Sequence, residues 1–335
     1  MKVLVTGAAG HIGSAVTRVL LERGHEVRGF VHDPKKAARR LPELDVELVA
    51  GDVREEAAVR RAVEGMDAVV HLVAIAIERR GATYEDVNDH GTRVVLAAMA
   101  AAGVGRLVYM GQLGSSADLP YRFLRSKALA QAAVQGSDRV WTVLRPSVVF
   151  GPTDEFAATL ARFLKVAPLF PVPGDGRARF QPIDRDDVAE IVANVLPDEL
   201  AVGGVYELGG PETLTFDQML ERILEAMDAH RAIVHVPIRA MHPLVGVLER
   251  VLPNPGVTTS LLDLLAVDNT TDDSRTEDLL GRPPTAFRGE ALAYLRAIGV
   301  GDAVRYFAGL GVPAGRETGV RPSPDVASDV GGAAP

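Results

Sequence analysis

Apolar and polar positions follow two different periods along the first 150 residues. Short runs rich in valine and leucine predict strands over Lys2–Thr6, Glu26–Val31, Val46–Val49, Ala68–Val73, Arg106–Met110 and Val140–Leu144. These runs are apolar on both faces, as strands covered by helices on both sides must be. Between them, apolar residues recur at helical spacing over His11–Arg23, Glu55–Glu64, Tyr84–Ala102 and Phe123–Gln135. Strands alternating with helices predict βαβ units. The expected fold class is therefore α/β, a Rossmann-type doubly wound parallel sheet with its ligand at the carboxyl ends of the strands.

The rhythm changes after Gly151-Pro152. Proline and glycine cluster in Pro168–Gly176, and helical patterns follow over Asp184–Leu196, Phe216–Ala229, Ile238–Leu252, Thr259–Val267 and Arg288–Ala297. This divides the chain into a nucleotide-binding domain, residues 1–150, and a smaller, mostly helical lobe interleaved with the core, residues 151–313. Residues 314–335 hold few large apolar side chains, so they cannot bury enough surface to offset chain entropy and are expected to be disordered.

The densest chemical signal is Thr6-Gly7-Ala8-Ala9-Gly10-His11-Ile12-Gly13, a GxxGxxG spacing directly after a strand and before a helix. Gly7 permits a tight turn, Gly10 lets the backbone approach a pyrophosphate, and Gly13 lets helix and strand pack closely. The helix start then offers free N–H groups and partial positive charge to phosphates. A pyridine dinucleotide is the expected ligand, with Thr6, Gly7, Ala9, Gly10, His11, Ile12 and Gly13 around it. His11 itself reads as loop surface facing solvent or the phosphates.

The end of the second strand bears on the choice between NAD(H) and NADP(H). Val31 stands where an acid would bind the ribose hydroxyls of NAD. His32 follows, with Lys35, Lys36, Arg39 and Arg40 close by, a cationic cluster that favours the 2′-phosphate of NADP. Asp33, turned inward, would reverse that preference, and a solvated basic helix start is the plain alternative. Asp52, after the third strand and before Val53, either accepts from the adenine amino group or caps the next helix. Val73, Ala74 and Ile75 end the fourth strand where the second ribose would lie.

Composition narrows the field further. The 335 residues carry a net charge of −8 and no cysteine. The acidic balance, with pI near 5.6, argues against nucleic acid as a partner. Disulfides, thiolate metal sites and cysteine nucleophiles are excluded. The opening residues do not form a signal peptide, and no run is long and apolar enough to span a bilayer. A cytoplasmic protein is expected, with peripheral membrane contact left open. Asp184, Asp186 and Asp187 read as the start of a helix rather than a metal cluster.

These residues resemble the extended short-chain dehydrogenase/reductase superfamily, its NAD-dependent epimerase/dehydratase-like members, over most of residues 1–300. Beside the glycine loop, the resemblance rests on Asn88-x-x-Gly91-Thr92-x-x-Val95-Leu96-x-Ala98, Leu144-Arg145-Pro146-Ser147-Val148-Val149-Phe150-Gly151-Pro152 and Arg179-Phe180-Gln181-Pro182-Ile183-x-x-x-Asp187-Val188-Ala189. The last two blocks look most like the atypical branch that includes the NADPH-binding accessory subunit of respiratory complex I. The resemblance implies a Ser/Thr, a Tyr and a Lys as catalytic triad, assisted by an Asn. Lys127 matches the lysine, which would hydrogen-bond the nicotinamide ribose, and Asn88 matches the asparagine. Phe123 stands in place of the tyrosine, and Gly111-Gln112 stand where the serine is expected. Ser115 and Ser116 read as loop residues. Tyr121 is the nearest alternative hydroxyl; six residues from Lys127, it lies on another face of a continuous helix.

Two functions remain open at this stage. One is an NADP(H)-binding protein with a degenerate triad, in a binding, redox-sensing or assembly role near quinone or respiratory metabolism. The other is an active NADP-dependent oxidoreductase, epimerase or dehydratase using a non-standard proton donor. Arg145 is expected to pair with a carboxylate, and Arg177 and Arg179 either hold an anionic group or sit in a solvated loop. Leu244, Val245, Val247, Leu248, Val251 and Leu252, with Leu261, Leu262, Leu264 and Leu265, either pack the lobe, line a pocket for a hydrophobic or quinone-like molecule, or touch a membrane. Monomer and homodimer are both compatible with the sequence.

Overall fold

The computed structural model describes residues 1–310 except 43, 80, 260, 261, 263, 264 and 266, and only the backbone of Lys36. Six strands of one sheet are β1 (Lys2–Thr6), β2 (Glu26–Val31), β3 (Glu47–Ala50), β4 (Ala68–His71), β5 (Arg106–Met110) and β6 (Val140–Pro146). A seventh, Val205–Leu208, pairs with β6, giving the order Val205–Leu208, β6, β5, β4, β1, β2, β3. Neighbouring strands run parallel throughout. The chain winds outward from β1 to β3 and then returns to the other side of β1 as β4. That reversal leaves a crevice beyond the carboxyl ends of β1 and β4, where Thr6 pairs with His71.

The helices follow from the strand alternation. Val3 and Val5 face one layer, made by α1 (His11–Glu22) and α7 (Arg185–Val195), and are buried with Val16, Leu20, Ile191 and Val192. Leu4 points to the opposite layer, made by α3 (Glu56–Val63), α4 (Gly91–Ala102) and α5 (Arg122–Gln135), where it joins Val59, Val69, Met99 and Val134. The chain beyond residue 150 therefore supplies both a strand and a core helix to the sheet.

The lobe has its own core, in which α6 (Ala157–Val166) and α8 (Phe216–Ala226) bury Leu160, Leu164, Met219 and Ile223 with Phe150, Phe170 and Phe287. It is not helical alone. Leu169–Pro173 pairs with Ala232–Val236, and two-residue pairings join Val149–Phe150 to Ile183–Asp184 and Arg179–Phe180 to Leu214–Thr215. Over the stretch expected as one helix, Tyr84–Ala102, the first part is a π-helical turn, Glu85–His90, that runs into α4. The expected helix over Thr259–Val267 falls largely, and the tail 314–335 wholly, outside the described residues. No helix among the described residues is long and apolar enough to cross a membrane.

Candidate functional site

One cleft of about 960 Å³ runs from the glycine loop, along the sheet's carboxyl edge, into the lobe. Its first wall is the loop itself. Gly7 adopts φ +74° and donates its N–H to Phe30 at 2.9 Å, and the Gly10 N–H reaches back to the Gly7 carbonyl at 2.7 Å. A Cβ on Gly13 would fall 2.0 Å from that same carbonyl, a backbone clash that nothing can relieve. α1 begins at His11 with Gly10 as its cap residue and no side-chain cap, so its first N–H groups are free for an anion. These residues fit a dinucleotide pyrophosphate.

Thr6 departs from the expected role. It does not line the cleft. Its hydroxyl accepts the Leu72 N–H at 3.1 Å and pairs with His71 Nδ1 at 2.7 Å. His71 Nε2 lies 3.0 Å from the Thr92 hydroxyl, which itself donates to the Asn88 carbonyl at 2.6 Å. Thr92's hydrogen is thus committed, so His71 carries its proton on Nε2 and accepts from Thr6 at Nδ1. Burial first, and the Lys127 charge second, push the His71 pKa down to about 3. This chain of bonds ties β1 and β4 to α4 beneath the cleft floor.

Asn88, at the π-helical turn, is 1% exposed and also does not line the cleft. Its Oδ1 accepts the Ile75 N–H at 2.8 Å, and its Nδ2 donates to the Ile75 carbonyl at 3.2 Å and to the Ser126 hydroxyl at 3.0 Å. It fixes the backbone after β4, where Val73, Ala74 and Ile75 line the cleft. Lys127, on α5, reaches the cleft; its Nζ donates to the Met110 carbonyl at 2.6 Å and stands 5.0 Å above the Tyr109 ring. Burial pushes its pKa down to about 7. Phe123 lies one turn earlier on the same wall. Tyr121 is the residue before α5 and packs beside Phe123 outside the cleft lining, and Ser115 and Ser116 do not line it either. Among the described residues no tyrosine lines the cleft.

At the opposite end the structure brings together His32, Asp33, Asp52, Val53 and Arg40. Asp33's carboxylate accepts the Lys35 N–H at 2.9 Å, at the start of α2 (Pro34–Arg40). Asp52 does not cap α3, which begins four residues later. It takes the Arg54 backbone N–H and is clasped by the Arg54 guanidinium at 2.8 and 2.6 Å, which holds its carboxyl down at about 2. His32 is largely exposed, 3.9 Å from Asp52. Lys36 lies on α2, and its side chain falls outside the described residues. Arg40 donates to the Ala9 carbonyl at 3.1 Å, so a guanidinium borders both the glycine loop and the His32–Asp52 end of the cleft.

His11, expected at the loop surface facing solvent or the phosphates, is half-buried and lines the cleft. Its Nδ1 donates to the Pro152 carbonyl at 3.2 Å, pinning the glycine loop to the junction with the lobe. Burial, aided by nearby Arg185, pushes its pKa down to about 3, so the ring is neutral.

The lobe end of the cleft is aromatic and aliphatic. Phe156, Phe163, Phe170, Phe180 and Phe216 line it together with Met241, Val245 and Leu248 of α9 (Ile238–Val251). Leu244, Leu262 and Leu265 also line it, whereas Val247 and Val251 are exposed and Leu261 and Leu264 lie outside the described residues. Arg179 is engaged by Asp268 at 2.6 Å, neither it nor Arg177 lines the cleft, and Arg145 pairs with Glu207 at 3.1 Å. Asp184 caps α7, and buried Asp187 holds Arg282 and Thr285.

A profile described as NAD(P)H-binding matches residues 7–199, more than half the chain. The chain belongs to that NAD(P)H-binding family. Among curated proteins it is 28% identical over 283 residues to an Arabidopsis thaliana mitochondrial protein, NADH dehydrogenase [ubiquinone] 1 alpha subcomplex subunit 9, covering 82% of this chain and 70% of that one. It is 31% identical over 287 residues to the 2-alkyl-3-oxoalkanoate reductase of Stenotrophomonas maltophilia, covering 76% of this chain and 84% of the other. Among solved structures, the NADPH complex of the Escherichia coli NADPH-dependent quinone oxidoreductase QOR2 superposes with a TM-score of 0.71 at 22% identity, covering 88% of this chain and 99% of that one. That likeness shows the shared fold.

Proposed function

We propose that this protein binds NADP(H) along the glycine loop and an apolar carbonyl- or quinone-type ligand in the lobe end of the same cleft. In this reading it serves a binding, redox-sensing or assembly role near quinone-linked metabolism rather than acting as a fast carbonyl reductase. The observation that carries it is the continuity of the cleft: glycine loop and Arg40 at one end, five phenylalanines at the other, Lys127 and Phe123 between. Arg40 is the strongest support for the 2′-phosphate of NADP, because Asp33 is already engaged at the start of α2. When bound, the reduced nicotinamide supplies a hydride; this chain's residues orient it and exclude water.

Phe123 in the tyrosine's place removes an acid worth roughly 10²–10⁴ in rate. Gly111 in the serine's place removes an oxyanion donor of comparable weight, roughly 10²–10³. Such a cleft suits an acceptor whose reduced form is a stable anion. A reduced quinone is a phenolate, with a conjugate acid near that of tyrosine, roughly 10. A reduced ketone is a far stronger base and needs its proton at once. One relative's name, a subunit of NADH dehydrogenase [ubiquinone], points the same way, whereas another's, a 2-alkyl-3-oxoalkanoate reductase, points to a ketone.

A second reading, slow turnover of such acceptors, is favoured by Lys127, a cleft-lining residue whose amine has its pKa lowered by burial to about 7. The test is to purify the protein, identify any released nucleotide by mass, and titrate it with NADPH, NADH and an alkyl-chain naphthoquinone. NADPH binding tighter than NADH, with the quinone bound alongside, supports the reading. Failure to bind either nucleotide overturns it.

A further inference from the structure

We propose that Lys127 is the proton donor of this cleft, acting directly on the ligand oxygen in the place of the missing phenol. The proposal rests on the reading that NADP(H) and a reducible apolar ligand share the cleft.

The geometry isolates this amine. Lys127 lines the cleft although it is 4% exposed; its Nζ is 2.6 Å from the Met110 carbonyl and has no carboxylate partner among the described residues. One N–H is therefore used for anchoring, and the ammonium has two more to offer. The groups facing it are uncharged. His71 on β4 is the neutral Nε2–H tautomer, and the Tyr109 phenol on β5 is held protonated by burial. On its own helix, Phe123 and Ser126 add no charge, and the Ser126 hydroxyl is turned to the Phe123 carbonyl at 2.7 Å. With no counter-charge, the apolar floor favours the neutral amine, so the ammonium is a ready acid: burial sets its pKa at about 7. A lysine paired with a carboxylate would hold its proton far more tightly.

The balance is simple. The acceptor's C=O system gains a hydride and its electron pair from the reduced nicotinamide, which is thereby oxidised. The acceptor oxygen gains the proton from Lys127 Nζ as the N–H bond breaks. Lys127 is left a neutral amine and takes a replacement proton from water.

Two measurements test this. The first needs no turnover. Competitive acetylation of the full chain across a pH series, with NADPH bound, reads the Lys127 amine by peptide mass. A midpoint near 7 is expected, and a midpoint at the ordinary lysine value, roughly 10.4, would overturn the proposal. The second follows NADPH oxidation by an apolar ketone, whose reduced oxygen needs its proton at once. The rate should fall as pH rises through about 7, because only the ammonium can donate. At saturating NADPH, Lys127→Arg should lose roughly 10²–10⁴ in rate, and its falling limb should vanish, since a guanidinium does not deprotonate in this range. Lys127→Met, if the larger arginine disturbs the fold, should show the same loss. A variant that keeps the limb near 7 contradicts the proposal. A wild-type protein that binds NADPH but oxidises it with no acceptor sinks the donor role and leaves the binding reading intact. A wild-type protein that does not bind NADPH sinks both.

Discussion

The Phe123 ring stands edge-on to Tyr84, with centroids 5.7 Å apart and planes at 63°, and the Tyr84 hydroxyl donates to the Ala76 carbonyl at 2.9 Å. The Tyr84 phenol beside Phe123 is thus turned to the backbone and buried, while Phe123 lines the cleft. Phe123→Tyr should place a hydroxyl on the cleft wall one turn from Lys127. The expected result is a gain of at least about 10-fold in NADPH-dependent reduction of apolar ketones, a fraction of what a positioned acid contributes. Steady-state rates on a ketone panel check it. No gain in a variant with unchanged thermal melting would show that the phenol cannot reach the ligand oxygen.

Asn88 acts on the cleft through Ile75. Asn88→Ala leaves the Ile75 N–H and carbonyl without their partners, and about 2–3 kcal/mol of stability should be lost. NADPH affinity should fall with it, because the segment after β4 loosens. Urea unfolding and a fluorescence titration measure the two effects separately. A variant as stable as wild type would contradict the clasp.

His71 makes folding pH-dependent. Its folded pKa, about 3, lies below its unfolded value of 6.5, so the unfolded chain binds more protons between the two. Its contribution is therefore fully present above pH 6.5 and is lost as pH falls toward 3. At pH 5 the loss should be on the order of 2 kcal/mol for this one residue. His11, depressed to a similar pKa, acts with the same sign. Denaturation at pH 7 and pH 5 reads the slope, and His71→Gln should flatten it. An equal slope in that variant would contradict the neutral tautomer.

Arg40 should set cofactor preference. Arg40→Ala is expected to weaken NADPH binding about 10- to 100-fold, as for a charge-assisted bond worth roughly 1.5–3 kcal/mol. NADH binding should change little. Arg40 also holds the Ala9 carbonyl, so NADH serves as the control for damage to the glycine loop. Equal losses for both nucleotides would assign Arg40 to the loop alone.

Much of the sheet was legible because its strands are short valine-rich runs bounded by glycine and proline. β1, β2 and β5 begin and end where the pattern placed them. The seventh strand, Val205–Leu208, was not visible, since Tyr206 and Glu207 break the apolar run and its partner β6 lies some sixty residues earlier. α2, Pro34–Arg40, matches the basic helix start that was the plain alternative to a phosphate site, but its charge leaves no apolar period to bound it. The two-residue pairings of the lobe are too short for any period to show. Within the site, the glycine loop was legible because each glycine answers a local constraint. The roles of Thr6 and His71 were not, because their hydrogen bonds join residues 65 apart. The available signal was a threonine and a histidine standing inside otherwise apolar strands, where a buried polar side chain must find a partner. Asn88 could be matched to a family position, yet its clasp on Ile75 depends on the π-helical turn, which periodicity cannot reveal.

The central claim is that one cleft takes a nicotinamide dinucleotide and an apolar acceptor side by side. Calorimetric titration with NADPH, followed by an alkyl-chain naphthoquinone added to the saturated protein, tests it most directly. The account predicts one NADPH per chain and one quinone bound without displacing it. A quinone that expels NADPH, or a protein that gives no heat with NADPH at all, would contradict it.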